Sequence, residues 1–291
     1  MKASPRRRWT PRRILSRVGR LAGLAPRTSG FDREQLAYAH RLLDEFHRFI
    51  AGEYGARALS RDAFLELFWR HQRSGIIRPA NRFIGDLWYL FAPDFTDRLD
   101  EYYKNQELQL TMTFLAYAAS PSVLADNYIE PYRLMRERVP RARVLEVGAG
   151  LPHGFLNLLW EAGPTWCESL TVVELDAIYT RFTAWACRTH DLPFHHILAH
   201  AGRPPAIPRD RPFDLVFAKD VFEHLDDPRR TLHDILAAAA RRSMLALDLD
   251  DKGAVEYQHI SPDLDALKDD VTRAGFQLLA RTGHMSVFAR E

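Results

Sequence analysis

The sequence predicts an α/β protein, a doubly wound and mostly parallel sheet preceded by an all-helical N-terminal region. Three observations lead there. After Pro140, short apolar runs alternate with helical stretches, the rhythm of a parallel sheet buried between two helix layers. The first of these runs passes directly into a glycine turn, "VGAG", and then into a helical stretch. Before Pro140 the apolar residues recur at helical spacing, and Pro93 and Pro121 divide them into separate helices.

Taken in order, the chain opens on a basic segment. Residues 1–31 hold nine Lys or Arg and no acid, which leaves 31 basic against 38 acidic residues in the remainder. Ile14, Leu15, Val18 and Leu21 recur opposite Arg12, Arg13, Arg17 and Arg20, so the expectation is a flexible basic tail over 1–30. Peripheral membrane contact is open to it. A helical cap domain is expected over 31–135. Leu36, Leu43, Phe46 and Ile50 mark the face of its first helix, and Ser60 and Asp62 mark the start of a second. Further helices are expected over 82–91, 94–119 and 122–138. The aromatic cluster Phe83, Trp88, Tyr89, Phe91, Phe95, Tyr102 and Tyr103 reads as core first. Arg82 and Tyr103 are candidates for touching a substrate.

Over 136–291 the strand-like runs are "RVLEVGAG", "SLTVVELDA", "FHHILAH", "FDLVFAKD" and "SMLALDLDD". Two more flank Gly283 and His284 as an antiparallel edge pair, making seven strands. Composition is that of an ordinary globular protein, with 46% hydrophobic and 27% charged residues. Cys167 and Cys187 form neither a disulfide framework nor a CxxC pair, and no apolar run reaches the ~20 residues of a membrane span. A cytoplasmic setting is the expectation.

Chemistry is concentrated at the first glycine turn. Gly148 and Gly150 let the backbone turn tightly and approach a ligand, and the following helix offers unpaired N–H groups. A nucleoside-bearing cofactor needs a second element, an acid ending the next strand to accept from ribose hydroxyls. Glu174 fills that place 26 residues after Gly148. Asp176 is the competing candidate, but its position favours the start of the following helix.

With "EVGAG" and Glu174 in order, the sequence resembles the class I, Rossmann-like S-adenosylmethionine-dependent methyltransferases. The resemblance extends through "FDLVFAKDVFEHLDDP" and "ISPDLDALKDDVTRAGF" and covers about residues 136–291. It implies S-adenosylmethionine as cofactor, held by Glu146, Gly148, Gly150, Glu174, His200, Ala201 and Lys219. Glu146 would face the methionine amino group. His200 and Ala201 stand where the family commonly has an adenine-binding Asp, and Pro152 stands where its third glycine falls, with Gly154 two residues later. Nicotinamide oxidoreductases share the sheet, but their loops usually begin with Gly where this chain has Glu146.

Methyl transfer needs alignment and exclusion of water more than it needs a base. If a base acts, His224 is the catalytic candidate and His259 the second, each with a packing role as the alternative. His153 either touches the cofactor or faces solvent. His190, His195 and His196 are expected on the side away from the site. The acidic groups Asp226-Asp227 and Asp248, Asp250, Asp251 read as solvated turns, not metal ligands. Lys219 and Asp220 replace the start of the tetrad used by base amino-methyltransferases, and no Pro-Cys pair is present, so nucleic acid is not the expected substrate. The expected reaction is methylation of an oxygen or nitrogen on a small-molecule acceptor. The alternatives are a protein methyltransferase acting on a docked macromolecule and a non-catalytic scaffold.

Overall fold

The computed structural model describes residues 30–54, 60–62, 125–200, 205–249 and 263–291. The tail, the helices expected over 82–91 and 94–119, the aromatic cluster, Ala201, His259, Asp250 and Asp251 lie outside the described residues. Helix α1 runs Gly30–Tyr54. A π-helical turn, Ala125–Ile129, leads into α2, Glu130–Arg138. Then follow β1 (Ala142–Val147), α3 (His153–Ala162), β2 (Cys167–Glu174), α4 (Ile178–Thr189) and β3 (Phe194–Leu198). The second half holds β4 (Phe213–Ala218), α5 (Pro228–Ala238), β5 (Ala239–Asp248), α6 (Leu264–Arg273), β6 (Gln277–Thr282) and β7 (Met285–Arg290).

The seven strands form one sheet in the order β3-β2-β1-β4-β5-β7-β6. The first five are parallel, while β7 runs antiparallel between β5 and β6. The predicted edge pair is present, and the member later in sequence is the inner one. β7, buried over Met285–Phe288, takes the inner place, and β6, with Leu278 and Leu279 exposed, takes the edge.

Alternation along the strands feeds two cores. Val144, Leu170, Val172, Leu215 and Phe217 face α1 to α4, and Leu145, Val147, Val173, Val216 and Leu245 face α5 and α6. Helix α5 begins with Pro228 after Asp227, whose carboxylate accepts the Arg230 N–H at 2.9 Å. Asp270 of α6 accepts from Arg229 at 2.6 and 3.0 Å and contacts His233 at 3.1 Å, which ties α5 to α6. The Arg229 guanidinium holds the Asp270 carboxyl down to about 2.

Helix α1 belongs to the first core. Phe46 and Phe49 meet Phe182 of α4 with ring centroids 5.1 and 5.7 Å apart, and Phe49 also meets Trp185. Tyr38, Leu42 and Leu43 are buried beside them. Side chains between Tyr38 and Ile50 and between Tyr128 and Met135 thus share one apolar core with the sheet. Among the described residues no helix is long and apolar enough to cross a membrane. Because Phe182 is fully buried between α1 and the sheet layer, Phe182→Ala is expected to cost about 3–5 kcal/mol. Urea unfolding checks this, and a loss under 1 kcal/mol would mean that α1 does not dock as described.

Candidate active site

The parallel strands of such a sheet deliver functional residues to their carboxyl ends, and the winding direction reverses between β1 and β4, the point at which sheets of this kind bind ligands. Gly148 extends β1, its N–H donating to Val173 O at 2.9 Å. Gly148 and Gly150 both have left-handed backbones, with φ of 60° and 49°. A Cβ on Gly148 would stand 2.5 Å from Val221 Cγ2, so only glycine lets the β1 loop close against the segment after β4.

Glu174 ends β2, 8% exposed. Its Oε2 accepts the Gly150 N–H and its Oε1 accepts the Leu175 N–H, each at 2.7 Å. Burial raises its pKa, and the bonds from Leu175 and Gly150, with the nearby His196, draw it back. Asp176 is instead exposed and pairs with Arg181 at 3.5 Å.

His196 corrects the expectation that the histidines of β3 point away from this site. Its Nε2 lies 2.9 Å from the Glu174 carbonyl oxygen, so Nε2 carries the donated proton. Parallel pairing sets His196 beside Val172, and its ring reaches the end of β2. Beyond β3, the Ala199 N–H donates to the same carbonyl at 2.9 Å, and His200 is exposed.

Glu146 is 1% exposed, and its Oε1 accepts from the fully buried Tyr132 hydroxyl of α2. Contact with a ligand's amino group therefore requires this pair to rearrange. Burial pushes the Glu146 carboxyl up to about 8, with the Tyr132 bond opposing. Burial and then Glu146 hold Tyr132 well above the usual phenol value.

The displaced third glycine has a packing explanation. Gly154 lies in the first turn of α3, where a Cβ would stand 2.3 Å from Tyr128 O and 2.4 Å from Tyr132 Cδ2. It admits the 125–138 segment against α3 and takes no part in the turn at 148–150. His153, the first residue of α3, is wholly buried instead of facing solvent. Its Nδ1 shares a hydrogen bond with Tyr38 of α1 at 3.0 Å. Nothing in the local sequence signals the roles of Tyr38 and Tyr132, because their partners lie 115 and 14 residues away.

After β4, Lys219 is nearly buried, pairs with Asp220 and sits 5.0 Å over the Tyr128 ring. Tyr128 in turn stacks on Phe217 at 6.2 Å. Asp220 has a left-handed backbone, φ 53°, unusual for a residue other than glycine. His224 closes the short 3-10 turn Phe222–His224, and its side chain is half-buried. Among the described residues no group of three or more His, Cys, Asp or Glu side chains is placed to hold a metal ion.

Residues 124–288 match the methyltransferase-domain family. The match takes in more than half of the chain, and the chain belongs to that family. Solved structures similar to it include a SAM-dependent methyltransferase from Aquifex aeolicus, at 16% identity over 58% of this chain and 92% of that one, with a TM-score of 0.42. A methyltransferase from Pyrococcus furiosus is similar at 14% identity over 54% of this chain and 80% of that one, TM-score 0.37. The cyclase SpnF is similar at 18% identity over 52% of this chain, TM-score 0.39, and the match spans 57% of the cyclase. No curated protein matches the chain.

The family implies S-adenosylmethionine, and the residues present fit it. Each Glu174 oxygen accepts one backbone N–H and keeps a further lone pair for a ribose hydroxyl. The left-handed glycines leave the loop free of side chains that would fill the approach.

Because folding raises the Glu146 pKa, the stability it contributes is full below the unfolded value near 4.5 and is lost as pH rises through about 8. Within that window the loss approaches about 1.4 kcal/mol per pH unit. Glu146→Gln keeps an acceptor for Tyr132 and removes the titration. Urea unfolding at pH 5.5 and 7.5 should show the wild type losing stability relative to the variant, whereas parallel profiles would mean that Glu146 is ionised in the folded protein.

Proposed function

We propose that this chain is an S-adenosylmethionine-dependent methyltransferase that transfers a methyl group directly to an oxygen or nitrogen of a small-molecule acceptor. The observation that carries the reading is Glu174, a nearly buried carboxylate closed onto the glycine loop beside the switch point of the sheet.

In this reading Glu174 accepts from both ribose hydroxyls while its backbone bonds hold the carboxylate in place. The cofactor supplies a methyl group already activated on a sulfonium, so the protein's task is to align the acceptor and exclude water. The rim after β4 supplies alignment. Lys219 and Asp220 offer one charge of each sign, and the Tyr128 ring lies against Lys219. Where an acceptor must lose a proton, His224 on the same rim is the group to take it. The buried core of α1 to α3 keeps water from the back of the glycine loop.

Calorimetry with S-adenosylmethionine, with NAD as the control, tests the assignment. The wild type should bind the first and not the second. Glu174→Ala should weaken binding by about 10- to 100-fold, the loss of one or two hydrogen bonds to a charged acceptor. Equal affinity in the variant, or binding of NAD instead, would sink the reading.

A further inference from the structure

We propose that Tyr38 of α1 is a positioning residue of the cofactor site, acting through His153 on the loop that follows β1. The proposal rests on the cofactor reading above and adds to it a helix that the family match, residues 124–288, does not include.

The contact is narrow and internal. The Tyr38 hydroxyl and His153 Nδ1 are 3.0 Å apart, and the two residues are 5% and 0% exposed. A buried polar pair of this kind is lost at more than the worth of one bond when either member is removed, because the other is left in a dry core. His153 stands three residues after Gly150, at the point where the turn becomes α3. No side chain caps that helix, whose N-cap is Pro152, so tertiary contacts must set the orientation of its first turn. Tyr128 packs edge-on against the same imidazole at 5.2 Å, which leaves the ring little freedom once Tyr38 holds its Nδ1 side.

The rest of α1 grips α3 elsewhere. Tyr38 packs on Trp160 at 5.5 Å. Arg41 donates to the Trp160 carbonyl at 3.2 Å and lies 5.2 Å over its ring. These contacts attach α1 near the end of α3, two helical turns from the glycine loop. The Tyr38 hydroxyl reaches the first residue of α3, so removing it tests loop positioning apart from docking.

Tyr38→Phe deletes that one oxygen and keeps the ring. S-adenosylmethionine affinity, measured by calorimetry well below the melting temperature, should fall about 3- to 10-fold. In a His153→Gln background the same change should add little, since the pair acts as a unit. Arg41→Ala, which loosens the far contact, should lower the melting temperature and leave affinity unchanged. An unaltered Kd in Tyr38→Phe would overturn the proposal, as would an undiminished effect in the His153→Gln background or an equal loss in Arg41→Ala. A wild-type protein that does not bind S-adenosylmethionine would overturn the cofactor reading itself and this proposal with it.

Discussion

The Glu174 carboxylate receives a backbone N–H from Gly150 and another from Leu175, and so joins the turn after β1 to the end of β2. A carboxylate buried to this degree is costly unless both oxygens are bonded. Here one donor is the Gly150 N–H of the left-handed glycine turn and the other is the N–H of Leu175, the residue after Glu174 itself. The loop needs the carboxylate to hold its shape, and the carboxylate needs the loop to tolerate burial. His196, bonded to the Glu174 carbonyl, ties β3 into the same arrangement. These hydrogen bonds join the glycine turn, the end of β2 and β3.

Around that joint, helices from earlier in the chain supply the backing. Tyr132 of α2 meets Glu146 before the turn, and Tyr38 of α1 meets His153 after it. Both contacts lie in a dry aromatic layer in which Tyr132 stacks on Phe217 at 4.9 Å and meets Phe155 and Trp166 edge-on. In such surroundings a carboxyl keeps its proton and a phenol keeps its hydrogen. Glu146 consequently combines two properties that pull apart, a place beside the glycine loop and a medium that disfavours its charge.

Across Gly148, after β4, lie Lys219 and Asp220. Lys219 is held between the Asp220 carboxylate and the face of Tyr128. Asp220 adopts its left-handed backbone where the chain leaves the sheet beside Gly148. A non-glycine residue in that conformation is retained only where its surroundings impose it. Val221, the next residue, packs so closely on Gly148 that a Cβ there would stand 2.5 Å from its Cγ2.

The strands were legible in the sequence because each is an apolar run ended by turn residues, and the glycine turn and Glu174 were legible because both act within a few residues of a strand end. Helix α1 was legible by its spacing. The sequence by itself determined which segments are strands, where the turn falls and which acid ends β2, since these depend on local backbone preference and on two-residue or 3.6-residue periodicity. Only the tertiary structure decided that β7 lies inside β6, that Gly154 serves packing and not the turn, that His196 reaches Glu174, and that Tyr38 and Tyr132 brace the loop. Each of those facts is a close approach between residues distant in sequence, and no local preference encodes a distance between segments that meet only when the core closes.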